Sequence, residues 1–325
     1  MSRRLIALIP VVLLSSILVA QQPAAQKARD PQRPFTIPVD VQLVQIPVSV
    51  QDKDGKPVDG LTKENFQVYE DKALQTISFF KHEDVPVSLG LVIDNSGSMR
   101  NKRERVNISA LSFARESNPE DETFIVNFDD SAYLEQEFTG SIGDLMDALD
   151  NLDTRGETAL YDAVYLSVDH VVKQGHKDKK AILLVSDGVD NTSKYKYEEV
   201  IKILKESQVT LYAIGLLEED GGGGLFGRSP VRKARDTLTK FAEATGGAAY
   251  FPKSIDDLEE LCRHIAHDLR NHYTIGYTPT NNKQDGTWRE IRVNVTPPKS
   301  MAAQKITVPR YKNGYFAPNP PSNNR

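Results

Sequence analysis

Asp94, Ser96 and Ser98 stand at alternate positions in the run Asp94-Asn95-Ser96-Gly97-Ser98-Met99. One carboxylate and two hydroxyls so spaced offer only hard oxygen donors, which suit Mg²⁺, Mn²⁺ or Ca²⁺ rather than zinc or copper. The same residue types also serve as a helix N-cap, and the motif taken alone leaves both readings open. Two further clusters have a similar character. Gly156-Glu157-Thr158 sets a hydroxyl at a helix start, and Ser186-Asp187-Gly188 sets a carboxylate at the end of an apolar run.

Each cluster needs an element to aim it. The near-continuous apolar run 85–93 reads as a buried parallel strand leading straight into Asp94, and 101–117 reads as the helix that follows. From 85 to about 272, strands alternate with helices, the pattern of a mostly parallel sheet. The segments 123–128 and 132–138 flank Asp129-Asp130-Ser131 as a hairpin, which makes one edge strand antiparallel. Helices are expected over 142–152, 159–174, 198–206, 236–245 and 256–271, with strands over 180–186, 209–215 and 248–251. The predicted fold is α/β, doubly wound and Rossmann-like. Asp94, Ser96, Ser98, Thr158 and Asp187 then occupy loops at the C-terminal edge of one sheet, where such folds bind ligands.

The flanks alternate apolar and polar residues, the period of half-buried strands. Strands are expected over 39–50, 66–70, 75–80, 273–277, 289–295 and 305–311. Neither flank is large enough for a core of its own, so 39–84 and 273–318 are expected to pack together as one small β-sandwich beside an α/β domain at 85–272. Residues 1–20 carry Arg3-Arg4 and then an apolar run ending at Ala20, the form of an export signal. The run is short for a membrane span, and none is expected in the mature chain, with an uncleaved anchor as the alternative. Residues 21–38 read as a disordered linker and 319–325 as a Pro/Asn tail.

Composition closes off other functions. A net charge of −5 and the lack of a basic stripe argue against nucleic acid as a partner. The single cysteine, Cys262, excludes an intrachain disulfide and reads as a small core residue. A serine hydrolase would show Gly-x-Ser-x-Gly, which is absent. An aspartic-protease pair would read Asp-Thr/Ser-Gly twice, but Asn95 follows Asp94, and Ser96 stands where a haloacid-dehalogenase-like phosphatase needs a second Asp. The run Gly221–Gly224 lacks the lysine of a phosphate loop and reads as a surface insertion. His264, His267 and His272 lack the His-Glu-x-x-His context and are expected on a solvated face. Asp129, Asp130, Asp190 and Asn191 read as turn residues, with Asp129 or Asp190 able to support the site from behind.

Taken in this order, the three loops closely resemble those of the von Willebrand factor type A domain, over about 85–272. The resemblance implies that Asp94, Ser96, Ser98, Thr158 and Asp187 form a metal-ion-dependent adhesion site for Mg²⁺, or for Mn²⁺ or Ca²⁺. It further implies that Ser96 and Ser98 bind the ion directly and the other three bind it directly or through water. One position is left for an Asp or Glu of a protein ligand, and the helix at 256–271 becomes a candidate relay. Val48–Gly55, Glu83–Ser88 and Gly314-Tyr315-Phe316 also look like the secreted bacterial "VWFA-related" group first described for Acidobacteria. The expected protein is exported to the periplasm, cell surface or medium, and is a non-catalytic binder. The alternatives are an envelope scaffold whose β module makes the contacts and, third, a metal-dependent hydrolase.

Overall fold

The computed structural model describes residues 43–53, 55–82, 84–116, 118–150, 156–217, 230–301 and 305–319. The expected export signal at 1–20, the linker at 21–38, strand positions 39–42, loop positions 153–155, the glycine run 221–224 and tail residues 320–325 lie outside the described residues.

The N-terminal flank forms β1 (Val44–Ser49), β2 (Phe66–Glu70), β3 (Ala73–Gln75) and β4 (Ile77–His82). The chain then gives β5 (Val87–Asp94), α1 (Arg103–Arg115), β6 (Glu122–Phe128), β7 (Ala132–Thr139), α2 (Ile142–Asp150) and α3 (Leu160–Gln174). It continues with β8 (Lys179–Ser186), α4 (Tyr197–Glu206), β9 (Val209–Gly215), α5 (Pro230–Thr245), β10 (Ala249–Tyr250) and α6 (Leu258–Arg270). The C-terminal flank forms β11 (Tyr273–Tyr277), β12 (Trp288–Val295), β13 (Arg310–Tyr311) and β14 (Gly314–Phe316).

The central sheet runs β10-β9-β8-β5-β6-β7. All its pairings are parallel except β6 with β7, so the expected antiparallel edge strand is present. Every residue of β5 is buried, because helices cover both faces. Leu89, Leu91 and Ile93 meet Phe113, Leu145 and Ile265 of α1, α2 and α6 on one side. Val92, Ile182 and Leu184 meet Val164, Val168, Val200 and Phe241 of α3, α4 and α5 on the other. A Cβ at Gly90 would come within 2.5 Å of the Phe124 ring, so this strand accepts no side chain there.

Two antiparallel sheets, β13-β1-β11-β4 and β14-β12-β2-β3, take strands from both flanks. Their inner faces share one core, in which Ile46, Val48, Tyr273 and Ile275 meet Val68, Ile291 and Val293. The small sandwich expected from the flanks is therefore present, and β4 pairs directly with β11 on either side of the α/β domain.

Two boundaries and one burial differ from expectation for local reasons. α5 begins at Pro230 rather than near Asp236, since proline favours the first helical position and the polar residues after it lie on the outer face. The strand expected over 305–311 shrinks to β13 plus one bridge from Asp52 to Ile306, because Pro309 has no N–H to donate. His272 is not on a solvated face. It is 4% exposed, its neighbour Asp268 1%, and both sit in a polar cluster between α6 and the sandwich.

That cluster is densely bonded. Asp268 accepts from Ser49 Oγ at 2.5 Å, Gln51 Nε2 at 2.8 Å, Tyr212 OH at 2.8 Å and Arg310 Nη2 at 2.6 Å. Tyr212 spends its one O–H on Asp268, so the 3.1 Å contact with His272 Nε2 requires that nitrogen to donate. His272 Nδ1 then has no partner among the described residues. Of the other two histidines, His267 is exposed and His264 half-buried against Tyr250. Cys262 lies in the core on α6, and burial pushes its thiol up to about 12.

Candidate metal centre

The end of β5 delivers Asp94 to the C-terminal edge of the sheet at 1% exposure. Its Oδ1 accepts the Ser96 backbone N–H at 2.9 Å, and its Oδ2 accepts the Ser186 hydroxyl at 2.6 Å. Burial pushes the Asp94 carboxyl up from its usual range, and the nearby Asp187 charge adds to this, while the hydrogen bonds from Ser186 and Ser96 work the other way. A buried carboxylate held in this way favours a cation beside it.

Ser96 and Ser98 follow in the loop with their hydroxyls 3.1 Å apart. Ser98 Oγ donates to Asp187 Oδ1 at 2.7 Å, which joins the first loop to the third. Ser96 is buried and Ser98 exposed, so the cluster opens to solvent at Ser98.

The second loop is fastened from both sides. Gly97 N–H donates to the Gly156 carbonyl at 3.2 Å, and Ala159 N–H to the Asp129 carbonyl at 2.7 Å. Gly156 has φ +72°, and a Cβ there would lie within 2.6 Å of the Asp130 carboxylate. Asp130 in turn accepts the Glu157 N–H at 2.7 Å. Thr158 is pinned by Asn191, which accepts its N–H at 2.9 Å and donates to its carbonyl at 3.1 Å. Asp190 accepts the Tyr161 N–H at 3.0 Å. Asp129, Asp130, Asp190 and Asn191 are thus loop-fastening residues, as their turn-type sequence suggests. Gly156→Ala is expected to cost about 1–2 kcal/mol, from the left-handed backbone and the displaced Asp130, measurable as a lowered urea midpoint.

Gly188 closes the ring. A Cβ at Gly188 would sit 3.2 Å from Thr158 Oγ1 and 3.8 Å from Asp94 Oδ2, so the bare glycine leaves a small oxygen-lined space between the second and third loops. The structure therefore brings together all five residues singled out in the sequence, Asp94, Ser96, Ser98, Thr158 and Asp187. Among the described residues no group of three or more His, Cys, Asp or Glu side chains forms a metal cluster. This site has two carboxylates, and its other donors are hydroxyls. Such a donor set fits a hard divalent ion that keeps part of its water shell.

Two participants escaped the sequence. Ser186 holds Asp94 from beneath, and its place just before Asp187 at the end of an apolar strand is a usable signal. Lys102 reaches Asp187 Oδ2 at 2.6 Å with its side chain 17% exposed, and also the Leu216 carbonyl at 3.3 Å. Four residues beyond Ser98, it reads as an ordinary solvated lysine at a helix start.

The family model of the von Willebrand factor type A domain matches residues 89–189, from β5 to just past β8, and so spans all five residues. No curated protein matches the sequence. Among solved structures, proximal thread matrix protein 1 from the mussel byssus, with a zinc-occupied MIDAS motif, is similar at 18% identity and a TM-score of 0.47. The match covers 62% of this chain and 49% of that one. A von Willebrand factor type A structure from Catenulispora acidiphila is similar at 12% identity and a TM-score of 0.47, over 89% of this chain and 77% of that one. An aerotolerance-related membrane protein from Bacteroides fragilis gives 13% and 0.44, over 56% and 98%. This chain spans about half the length of the mussel protein. The strand order and the three converging loops agree with the match over 89–189, and over that stretch the chain carries a von Willebrand factor type A domain.

Proposed function

We propose that this protein is a non-catalytic binder that holds a divalent cation, Mg²⁺ or else Mn²⁺ or Ca²⁺, on Asp94, Ser96, Ser98, Thr158 and Asp187. Through that ion it takes an Asp or Glu of a protein ligand. The observation that carries the reading is the convergence of these side chains from three loops at one sheet edge. Hydroxyls neutralise no charge, so an ion held mostly by them keeps a strong pull on an incoming carboxylate. The exposed Ser98 marks the side from which that carboxylate arrives.

The Arg3-Arg4 start and apolar run to Ala20 support export to the periplasm, cell surface or medium, and the flanking motifs support the Acidobacterial-type "VWFA-related" group. Among the described residues no helix is long and apolar enough to cross a membrane.

Calorimetric titration with Mg²⁺ tests the site. The wild type is expected to bind and Asp94→Ala to lose binding by a factor of about a hundred or more, in line with removal of a charged ligand. Unchanged binding in Asp94→Ala overturns the assignment. Once a partner is in hand, chelation is expected to release it; retention favours the β-sandwich as the contact surface.

A further inference from the structure

Lys102 is part of the cluster by contact, yet it is not a metal ligand. Its ammonium lies 2.6 Å from Asp187 Oδ2 and donates also to the Leu216 carbonyl, while Ser98 occupies Asp187 Oδ1. The Asp187 carboxylate is 3% exposed, so solvent screens this ion pair little. On its other side Lys102 lines a cavity of about 660 Å³, whose walls include Arg235 and Lys253. The positive charge is thus held between the Asp187 carboxylate and the Leu216 carbonyl.

We propose that Lys102 is a built-in positive charge of the cation site that sets how tightly the site holds a divalent ion. With both carboxylates ionised, the cluster carries one net negative charge when Lys102 is counted, and two when it is not. The lysine competes for Asp187 and repels the arriving ion, so it weakens binding. This inference rests on the reading of the site as a cation site.

The test is calorimetric Mg²⁺ titration of the full chain as wild type, Lys102→Met, Lys102→Arg and Asp94→Ala, with circular dichroism to confirm folding. Lys102→Met is expected to bind Mg²⁺ about tenfold or more tightly than wild type, from loss of one like charge at close range. Lys102→Arg keeps the charge and is expected to stay near wild type. Tight binding by Lys102→Met alone also supports the proposal. Equal affinity of wild type and Lys102→Met, with loss in Asp94→Ala, overturns the role of Lys102 and leaves the cation site standing. A gain in Lys102→Arg equal to that in Lys102→Met assigns the effect to shape and overturns the proposal. Absence of binding in both wild type and Lys102→Met overturns the proposal and the cation site together.

Discussion

Replacing Asp268 by alanine is expected to destabilise the protein by about 3–5 kcal/mol, the penalty for breaking a buried ion pair from one side. Asp268 is almost fully enclosed and takes four hydrogen bonds, from Ser49, Gln51, Tyr212 and Arg310. Burial by itself would raise its carboxyl, but His272, Arg310 and the Ser49 and Tyr212 hydroxyls outweigh that and hold it below the usual range. Its removal leaves the Arg310 guanidinium, also in contact with Tyr250, without a counter-charge, and strands three polar groups. Urea unfolding of Asp268→Ala, Arg310→Met and the double variant checks the argument. The double variant is expected to lose clearly less than the sum of the singles, since no lone charge remains. Strict additivity would mean that the pair is not coupled.

The second large effect is a loss of stability in mild acid. Burial, with Lys179 adding to it, pushes the His272 imidazole down to about 3. An unfolded chain takes up that proton near the ordinary value of about 6.5. The depressed group therefore contributes stability that is complete above about pH 6.5 and falls away as the pH drops toward about 3. Between pH 7 and pH 5 this one residue should remove about 2 kcal/mol. His272→Gln retains an amide donor for Tyr212 and has nothing to titrate. Its melting temperature is expected to depend less on pH across this window than that of the wild type. Parallel pH profiles would remove His272 as the cause.

These two residues also mark where the sequence stops being readable. The strands β5 and β8 announce themselves as long apolar runs, because a strand buried on both faces needs apolar residues throughout. The loop residues follow from them, since Asp94 and Asp187 sit directly at the two strand ends. The sandwich was legible from period-two alternation and from flanks too small to stand alone. His272 was not. Its bonded partner is Tyr212, 60 positions away in sequence, and no local pattern announces such a partner. Lys102 failed for a related reason. A lysine at a helix start is ordinarily solvated, and only the fold brings Asp187 to it across 85 positions. The early start of α5 at Pro230 was hidden by a first turn with few core-facing residues.

The pairing of β4 with β11 has a mechanical consequence. These strands are where the chain enters and leaves the α/β domain, and they are hydrogen-bonded to each other from Tyr273↔His82 to Tyr277↔Ile77. Everything between them is a closed loop with its ends clipped together. Tension applied between β1 and β14 therefore runs through the sandwich, by way of β1 against β11 and β12 against β14. The loops carrying Asp94, Thr158 and Asp187 hang outside that load path until the β4–β11 clip tears.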